Sequence, residues 1–375
     1  MNTLKLADNI ALFRHKRHVT QEELADFLGV TKASVSKWET KQSMPDIMIL
    51  PQLAAYFDIT IDELLGYEPQ LSPEQIQKIY RELAADFADK PFEDVMARCR
   101  VLVKEYYSCY PFLFQICCLW LNHFFMAEGE TGQLEVLNET EELCNHVIEN
   151  TDDLGLCNDV KFFRATLDLQ LGKPEAVIET LEELFRYNRM AAQSDSVLTQ
   201  AYLMMGKRDK AREHSQINMY MHLMALVSDA TSYIDVCSDN LELCEETIRR
   251  IEQVGKAFSF DTLHPNSAAL FYYQAAVMYC GHNKVQEAVE MLERYTESCV
   301  RLLLVDDVKL HGDHYFTRIG DWFKQSDMGN QAPRDKKLIW DSAIDALKHP
   351  AFSVLEGNKA FEHMKERLRG GRENG

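Results

Sequence analysis

From Leu4 to Leu65 the apolar residues come in five short bursts with helical spacing, separated by polar or turn-forming breaks. Leu4, Ala7, Ile10, Ala11 and Phe13 recur at the intervals of one helix face, which predicts a first helix. Thr20-Gln21-Glu22-Glu23 follows it. The Thr20 hydroxyl can accept the amide of Glu23 while the Glu23 carboxylate reaches back, a capping box that opens a second helix. That helix carries Leu24, Ala25, Phe27 and Leu28. Gly29, with no Cβ to clash at positive φ, permits a sharp turn. Thr31 can cap a third helix whose Val35 and Trp38 face inward. Pro45 is expected near the start of a fourth helix, where a missing amide is harmless, with Leu53, Ala54, Tyr56 and Phe57 packing from it. A second box, Thr60-Ile61-Asp62-Glu63, precedes Leu64 and Leu65, and Gly66 closes the unit.

A short break containing Pro69 follows, and then Ser72-Pro73 offers a cap and a first helical proline. The expected division is a domain over residues 1–67, a linker over 68–71, a helical domain over 72–369 and a disordered tail over 370–375. No stretch reads as a strand, so the fold is expected to be all-α. The most apolar run, residues 112–126, is shorter than the roughly 20 residues that span a bilayer. Gln115, Asn122 and His123 also interrupt it, so a buried helix is expected.

Weak self-similarity runs through the long second part. Residues 162–185, 197–220 and 271–295 each read as an amphipathic helix, a glycine turn and a second helix. Gly172 and Gly206 stand one tetratricopeptide period apart, while Gly281 falls near two further periods with an insertion. Ala165 and Ala211 suit close helix packing in that repeat. Departures leave plain helical hairpins as the alternative: the Trp-x-x-Leu-Gly signature is absent, and Ala176 and Ala288 are displaced.

Charge changes the picture more than composition does. With 46% apolar and 26% charged residues in 375, the chain has material for two or three folded domains. Its net charge of -19 argues against a protein that coats nucleic acid along its whole length. Residues 1–66 hold 7 Lys and Arg against 9 Asp and Glu, whereas the remainder holds 33 against 50. Any nucleic-acid contact therefore belongs to one face of the first segment. The ten cysteines show no C-x-x-C pair, and reduced thiols in the cytoplasm are expected.

The first segment resembles the Cro/phage-repressor-like helix-turn-helix family, also called XRE. The resemblance rests on Gln21-x-Glu23-Leu24-Ala25, Gly29-Val30-Thr31, Val35-Ser36-Lys37-Trp38-Glu39, Leu53 to Phe57 and Asp62 to Gly66. It implies a five-helix lambda-repressor-like DNA-binding domain, with the third helix in the major groove and its N-terminal residues at base edges. Lys32, Ala33 and Ser34 then stand at the bases, with Lys37 one turn on. Lysine donates to guanine O6 and N7, and an alanine methyl meets thymine. Gln21, Thr31, Ser36, Thr40 and Lys41 are the candidate phosphate and positioning contacts, with a water-facing side chain as the alternative for Ser36. Arg14 and Glu39 match a pair that links the first and third helices in this family. Trp38 and Val35 read as core, and Lys16, Arg17, His15 and His18 as solvated surface. The resemblance further implies a homodimer on an inverted-repeat operator in double-stranded DNA.

Residues 72–375 resemble, in architecture only, the repeat domains of Rgg/PlcR/PrgX-like peptide-sensing regulators. That implies a tetratricopeptide-like helical solenoid that dimerises and binds a short signalling peptide, a quorum-sensing role. The repeat register offers Phe162, Thr166 and Gln170, with Leu169 beside them, and Ser196, Gln200 and Leu203 as candidate peptide contacts. The bland alternative for each is ordinary helix surface. Met204, Met205, Met219, Met221 and Met224 could line a groove, but methionine is more often core filler. His311, Asp313 and His314 stand close together, yet no further ligand has a metal-site spacing. No phosphate loop or nucleophile motif is present, so neither enzyme activity, cofactor, metal nor membrane is expected. A DNA-anchored scaffold that senses nothing is the alternative to a ligand-gated regulator.

Overall fold

A computed structural model describes residues 5–67, 70–187, 191–305, 308–325 and 329–374. The chain is 77% helical. The described residues form no strand, only an isolated bridge between Lys309 and Gln331. It divides into two compact units, residues 1–76 with 96–116 and residues 77–95 with 117–375.

The first unit contains α1 (Leu6–Lys16), α2 (Gln21–Leu28), α3 (Lys32–Glu39), α4 (Leu50–Phe57) and α5 (Ile61–Leu65). Their apolar faces close around Ile10, Leu24, Val35, Leu53 and Leu64, all fully buried. Both capping boxes form as read from the sequence, at Thr20 with Glu23 and at Thr60 with Glu63. Leu4 lies outside the described residues. The fourth helix does not begin near Pro45. It starts at Leu50 with Pro51 in its first turn, because the Asp46 carboxylate accepts the Met48 amide at 2.8 Å and holds a separate turn before it.

The helices α6 (Pro73–Asp89), α7 (Phe92–Glu105) and α8 (Tyr110–His123) follow. Ser72 caps α6 as expected, exchanging bonds with Gln75. The apolar run becomes α8, which buries Phe112, Leu113, Ile116, Cys117, Leu119 and Trp120. Among the described residues no helix is long and apolar enough to cross a membrane. None of the ten cysteines is in a disulfide.

The remaining helices are α9 (Gly129–Asn150), α10 (Leu154–Gln170), α11 (Pro174–Tyr187), α12 (Ala191–Met204), α13 (Arg208–Val236), α14 (Leu241–Ala257), α15 (Phe260–Leu263), α16 (Pro265–Gly281), α17 (Val285–Leu303), α18 (Gly320–Gln325), α19 (Lys336–Ala346) and α20 (Lys359–Asn374). They build antiparallel hairpins, α10 on α11, α12 on α13 and α16 on α17. Gly172 (φ 69°) and Gly206 (φ 71°) make the first two turns, in the left-handed region that favours glycine. The third turn is made by Asn283 (φ 55°), since Gly281 is still helical. Asparagine tolerates that region because its short side chain bonds locally.

Two further expectations need correcting. Residues 370–374 of the supposed disordered tail are the last turn of α20, held to α19 by Arg372 on Asp341. Of the five methionines between Met204 and Met224, four do not fill the core: Met204, Met205, Met219 and Met221 are exposed, Met204 by 90%, while Met224 packs on the core.

His123 is fully buried at the end of α8 and stacks on Phe87 at 4.4 Å. Its Nδ1 donates to the Leu119 carbonyl at 2.8 Å, while its Nε2 is buried without a partner. Burial pushes its pKa down to about 4, and the Arg334 charge works in the same direction against the Leu119 bond. A folded-state pKa below the unfolded value means that the unfolded chain takes up the proton first. This contribution to stability is complete above about pH 6.5 and shrinks as pH falls towards 4. Urea titration should show His123→Phe losing roughly 2 kcal/mol less than the wild type between pH 7 and 4.5. Equal losses in the two proteins would contradict a neutral buried imidazole.

Candidate nucleic-acid interface

The candidate reading helix is short, so its ends decide where it points. The turn into it is set by Gly29 (φ 68°), and the Val30 amide bonds back to the Ala25 carbonyl at 3.0 Å. The Thr31 hydroxyl then accepts the Ser34 amide at 3.2 Å, which fixes the first turn of α3. Val35 and Trp38 bury one side of the helix. Lys32, Ala33, Ser36, Lys37 and Thr40 occupy the opposite side at helical spacing, and all but the half-buried Ser36 are exposed. Five of the nine candidate DNA contacts thus share one face of α3.

Their side chains differ in freedom. Lys32 Nζ sits 3.3 Å from Glu22 Oε2, an exposed pair worth at most about 1 kcal/mol and easily exchanged for another anion. Lys37 extends into solvent from the middle of the face. The Ser34 hydroxyl lies 2.9 Å from that of Thr31, so it helps to hold the helix start. The Thr40 hydroxyl donates to the Ser36 carbonyl at 2.7 Å and closes the helix end. Lys41 has left-handed backbone (φ 62°) and places its ammonium 2.9 Å from Asp8.

Gln21 is placed differently from a free phosphate ligand. Its side-chain amide donates to Glu39 Oε2 at 2.7 Å. At the start of α2 the capping box engages the Thr20 and Glu23 amides, at 2.7 and 3.2 Å, and Glu22 and Glu23 stand in the first turn. The other side of Glu39 takes a fork from Arg14, Nε to Oε1 at 2.6 Å and Nη2 to Oε2 at 3.0 Å. Arg14 also donates from Nη1 to the Val19 carbonyl at 2.9 Å. Arg14 is only 7% exposed. Burial alone would raise the Glu39 carboxyl, but the bonds from Arg14 and Gln21 and the nearby positive charge hold it below the ordinary range. The bond to Glu39 raises Arg14 in turn.

The sequence reading missed the loop between α3 and α4. It exposes Met44, Ile47 and Met48, each by about three quarters. The available signal was Asp46, a residue that caps its own turn.

The candidate peptide contacts are all exposed, Phe162, Thr166 and Gln170 on α10 and Ser196, Gln200 and Leu203 on α12. Leu203 also lines a groove of about 560 Å³ with Thr199, Arg208, Arg212, Met219 and Arg318. At the histidines, Asp313 Oδ1 accepts the amides of Tyr315 and Phe316, at 2.8 and 2.7 Å. Among the described residues no group of three His, Cys, Asp or Glu could hold a metal ion.

Removing one half of a buried ion pair leaves the other charge without compensation. Glu39→Ala should therefore destabilise the N-terminal unit by roughly 3 kcal/mol, read as a fall in its urea midpoint. The double variant Arg14→Met/Glu39→Leu should recover most of that loss. A single variant as stable as the wild type would show that the pair does not hold α1 to α3.

Residues 10–64 match the family model described as "Helix-turn-helix". The HTH-type transcriptional activator BcrR of Enterococcus faecalis is 34% identical over 65 residues, 17% of this chain and 32% of that protein. The HTH-type transcriptional regulator AnsR of Bacillus subtilis is 36% identical over 63 residues, 17% and 54% respectively. An uncharacterized HTH-type transcriptional regulator, YobD of Bacillus subtilis, is 30% identical over 78 residues, 21% and 66% respectively. The chain thus spans less than two thirds of each of these relatives. Among solved structures, the apo form of the competence regulator ComR from Streptococcus vestibularis covers 87% of this chain and 98% of its own. Its identity is 13% and its TM-score 0.24, too slight a likeness to transfer anything to this chain. Match, helix caps and the exposed face of α3 agree on the first unit: residues 10–64 are a helix-turn-helix domain of the XRE type.

Proposed function

We propose that this chain is a cytoplasmic, non-enzymatic transcription regulator that reads DNA through α3 and is controlled by a ligand, a short peptide, bound to its helical domain. The observation that carries the DNA reading is the exposed face of α3, which presents Lys32, Ala33, Ser36 and Lys37 on a helix capped at both ends. In this reading Lys32 and Lys37 donate to guanine edges, Ala33 meets a thymine methyl, and Ser34 can bond either kind of base edge. Thr31, Ser36, Thr40, Lys41 and the start of α2 at Gln21 position the phosphates. The domains are taken as residues 1–67, a linker over 68–71 that includes two residues outside those described, and a tetratricopeptide-like domain over 72–369. Two copies on an inverted repeat double the readable surface, since one such module buries too little for strong selectivity.

The peptide reading is supported by the hairpins of the second part and by the exposed candidates Phe162, Thr166, Gln170, Ser196, Gln200 and Leu203. Control requires that the ligand bind two arrangements of the protein with different affinity. A scaffold whose repeats hold a protein partner, or only dimerise, is the competing reading. It gains if no component of culture medium shifts melting temperature, oligomeric state or DNA affinity.

Lys32→Ala/Lys37→Ala should lower affinity for a selected operator at least about a hundredfold while binding to random duplex falls far less. Lys41→Ala should weaken operator and random duplex alike and reduce the salt slope by about one. Operator binding unchanged in the double variant, with its melting temperature intact, would remove α3 from the interface.

A further inference from the structure

A second ligand-sized feature lies far along the chain from the candidate peptide contacts, where α14 and α17 flank a groove floored by α16. The helix α13 packs along α16, and α16 along α17. Two adjoining cavities of about 740 and 500 Å³ lie between α14 and α17, with Arg249, Glu252, Arg294 and Glu297 lining both. These four residues make a common wall, and the two cavities together form a channel divided by it. Tyr279 of α16 lines one half and Tyr272 the other, and both are buried.

The channel is polar in the electrical sense. One half collects Glu245 from α14 and Glu287, Glu290 and Glu293 from α17. The other half collects Lys256 from α14 and Arg301 from α17 against Asp261, and the shared wall balances Arg249 and Arg294 with Glu252 and Glu297, so the charge is acidic at one end and slightly basic at the other. Burial and the carboxylates of Glu245, Glu252, Glu287 and Glu290 push the Tyr279 hydroxyl up to about 12. Across the middle runs a bar. Arg294 Nη1 donates to Glu252 Oε1 at 2.7 Å and lies 3.4 Å from the Tyr272 hydroxyl, which donates to Asp261 at 2.9 Å. The Arg294 guanidinium also covers the Tyr272 ring at 5.4 Å. Some of the charge is already engaged, Glu287 with Lys284 and Arg249 with Glu246. These are exposed pairs that exchange at little cost.

Length and charge together select an occupant. From Glu245 to Lys256 is eleven residues of helix, about 17 Å. An extended chain covers that in about five residues. A compact anion or cation would satisfy only one half.

We propose that this groove binds a short extended peptide of segregated charge. Its basic side chains lie at Glu245, Glu290 and Glu293, and its acidic side chains or carboxylate at Lys256 and Arg301. The carboxylate competes with Glu252 for Arg294, which couples occupancy to the bar between α14 and α17. The proposal rests on the peptide-binding role proposed above and moves its site from α10 and α12 to α14 and α17.

The test uses the full chain and two end-blocked hexapeptides with the same two lysines, two glycines and two glutamates. One is segregated, with lysines first and glutamates last, and the other alternates. The segregated isomer should bind at least about tenfold more tightly in titration calorimetry at low salt. Glu290→Lys/Glu293→Lys, or Lys256→Glu/Arg301→Glu, should abolish that preference. All four substitutions together should restore it, because the peptide can bind in the reverse direction. Restoration excludes simple misfolding as the cause of the loss. Equal binding of the two isomers, no saturation of either up to about 1 mM, or no recovery in the fourfold variant would overturn the proposal. If culture medium alters DNA affinity while these peptides do not bind, the regulator stands and this groove fails. If the peptides obey the swaps but nothing alters DNA affinity, the groove stands and ligand control fails.

Discussion

The buried fork between Arg14 and Glu39 is the constraint on which the N-terminal unit depends. A helix of eight residues has little stability of its own, because nucleation uses most of what its few bonds return. In α3 the first turn is held by Thr31, and the last turn is tied to α1 through Arg14 and to α2 through Gln21. Three helices thus meet at one carboxylate. The geometry suits arginine, whose planar fork can take both oxygens and still reach the Val19 carbonyl, whereas a lysine ammonium offers no such plane. A face that reads base edges must hold its side chains within a fraction of an ångström, and this pair fixes the helix from which they project.

Much of this unit was legible because its information is local. A threonine three residues before a glutamate, or a glycine after an apolar residue, acts within one turn, and both boxes and the turn at Gly29 form where the spacing puts them. The inward role of Val35 and Trp38 followed from period alone. Pro45 misled because proline is at home both in a first helical turn and in the loop before it. Only the side chain of Asp46 decides between the two. The placement of Gln21 was not legible, since a glutamine at a helix start can face phosphate or a neighbour, and the neighbour comes from Glu39, eighteen residues away.

Beyond the first unit the chain was legible in class and less so in detail. Amphipathic period identified the helices, and positive φ at Gly172 and Gly206 agrees with their reading as turns. Gly281 and Asn283 show why glycine is not a sufficient signal, because asparagine serves the same backbone two residues later. Residues 370–374 looked free by composition, yet Arg372 finds Asp341 across thirty-one residues of chain. Met204, Met205, Met219 and Met221 looked like core and are exposed, because hydropathy measures a preference and tertiary packing decides the outcome. The charge segregation between α14 and α17 was invisible for the same reason, since its members are spread from Glu245 to Arg301 and only folding sets them side by side.

The central claim is that the α3 face makes this chain a sequence-specific reader of DNA. It is tested most directly by incubating the 375-residue chain with a pool of random duplexes and sequencing the bound fraction over successive rounds. The expected result is one enriched motif, a pair of inverted half-sites about one helical turn apart centre to centre. A bound pool as random as the starting pool would contradict the claim.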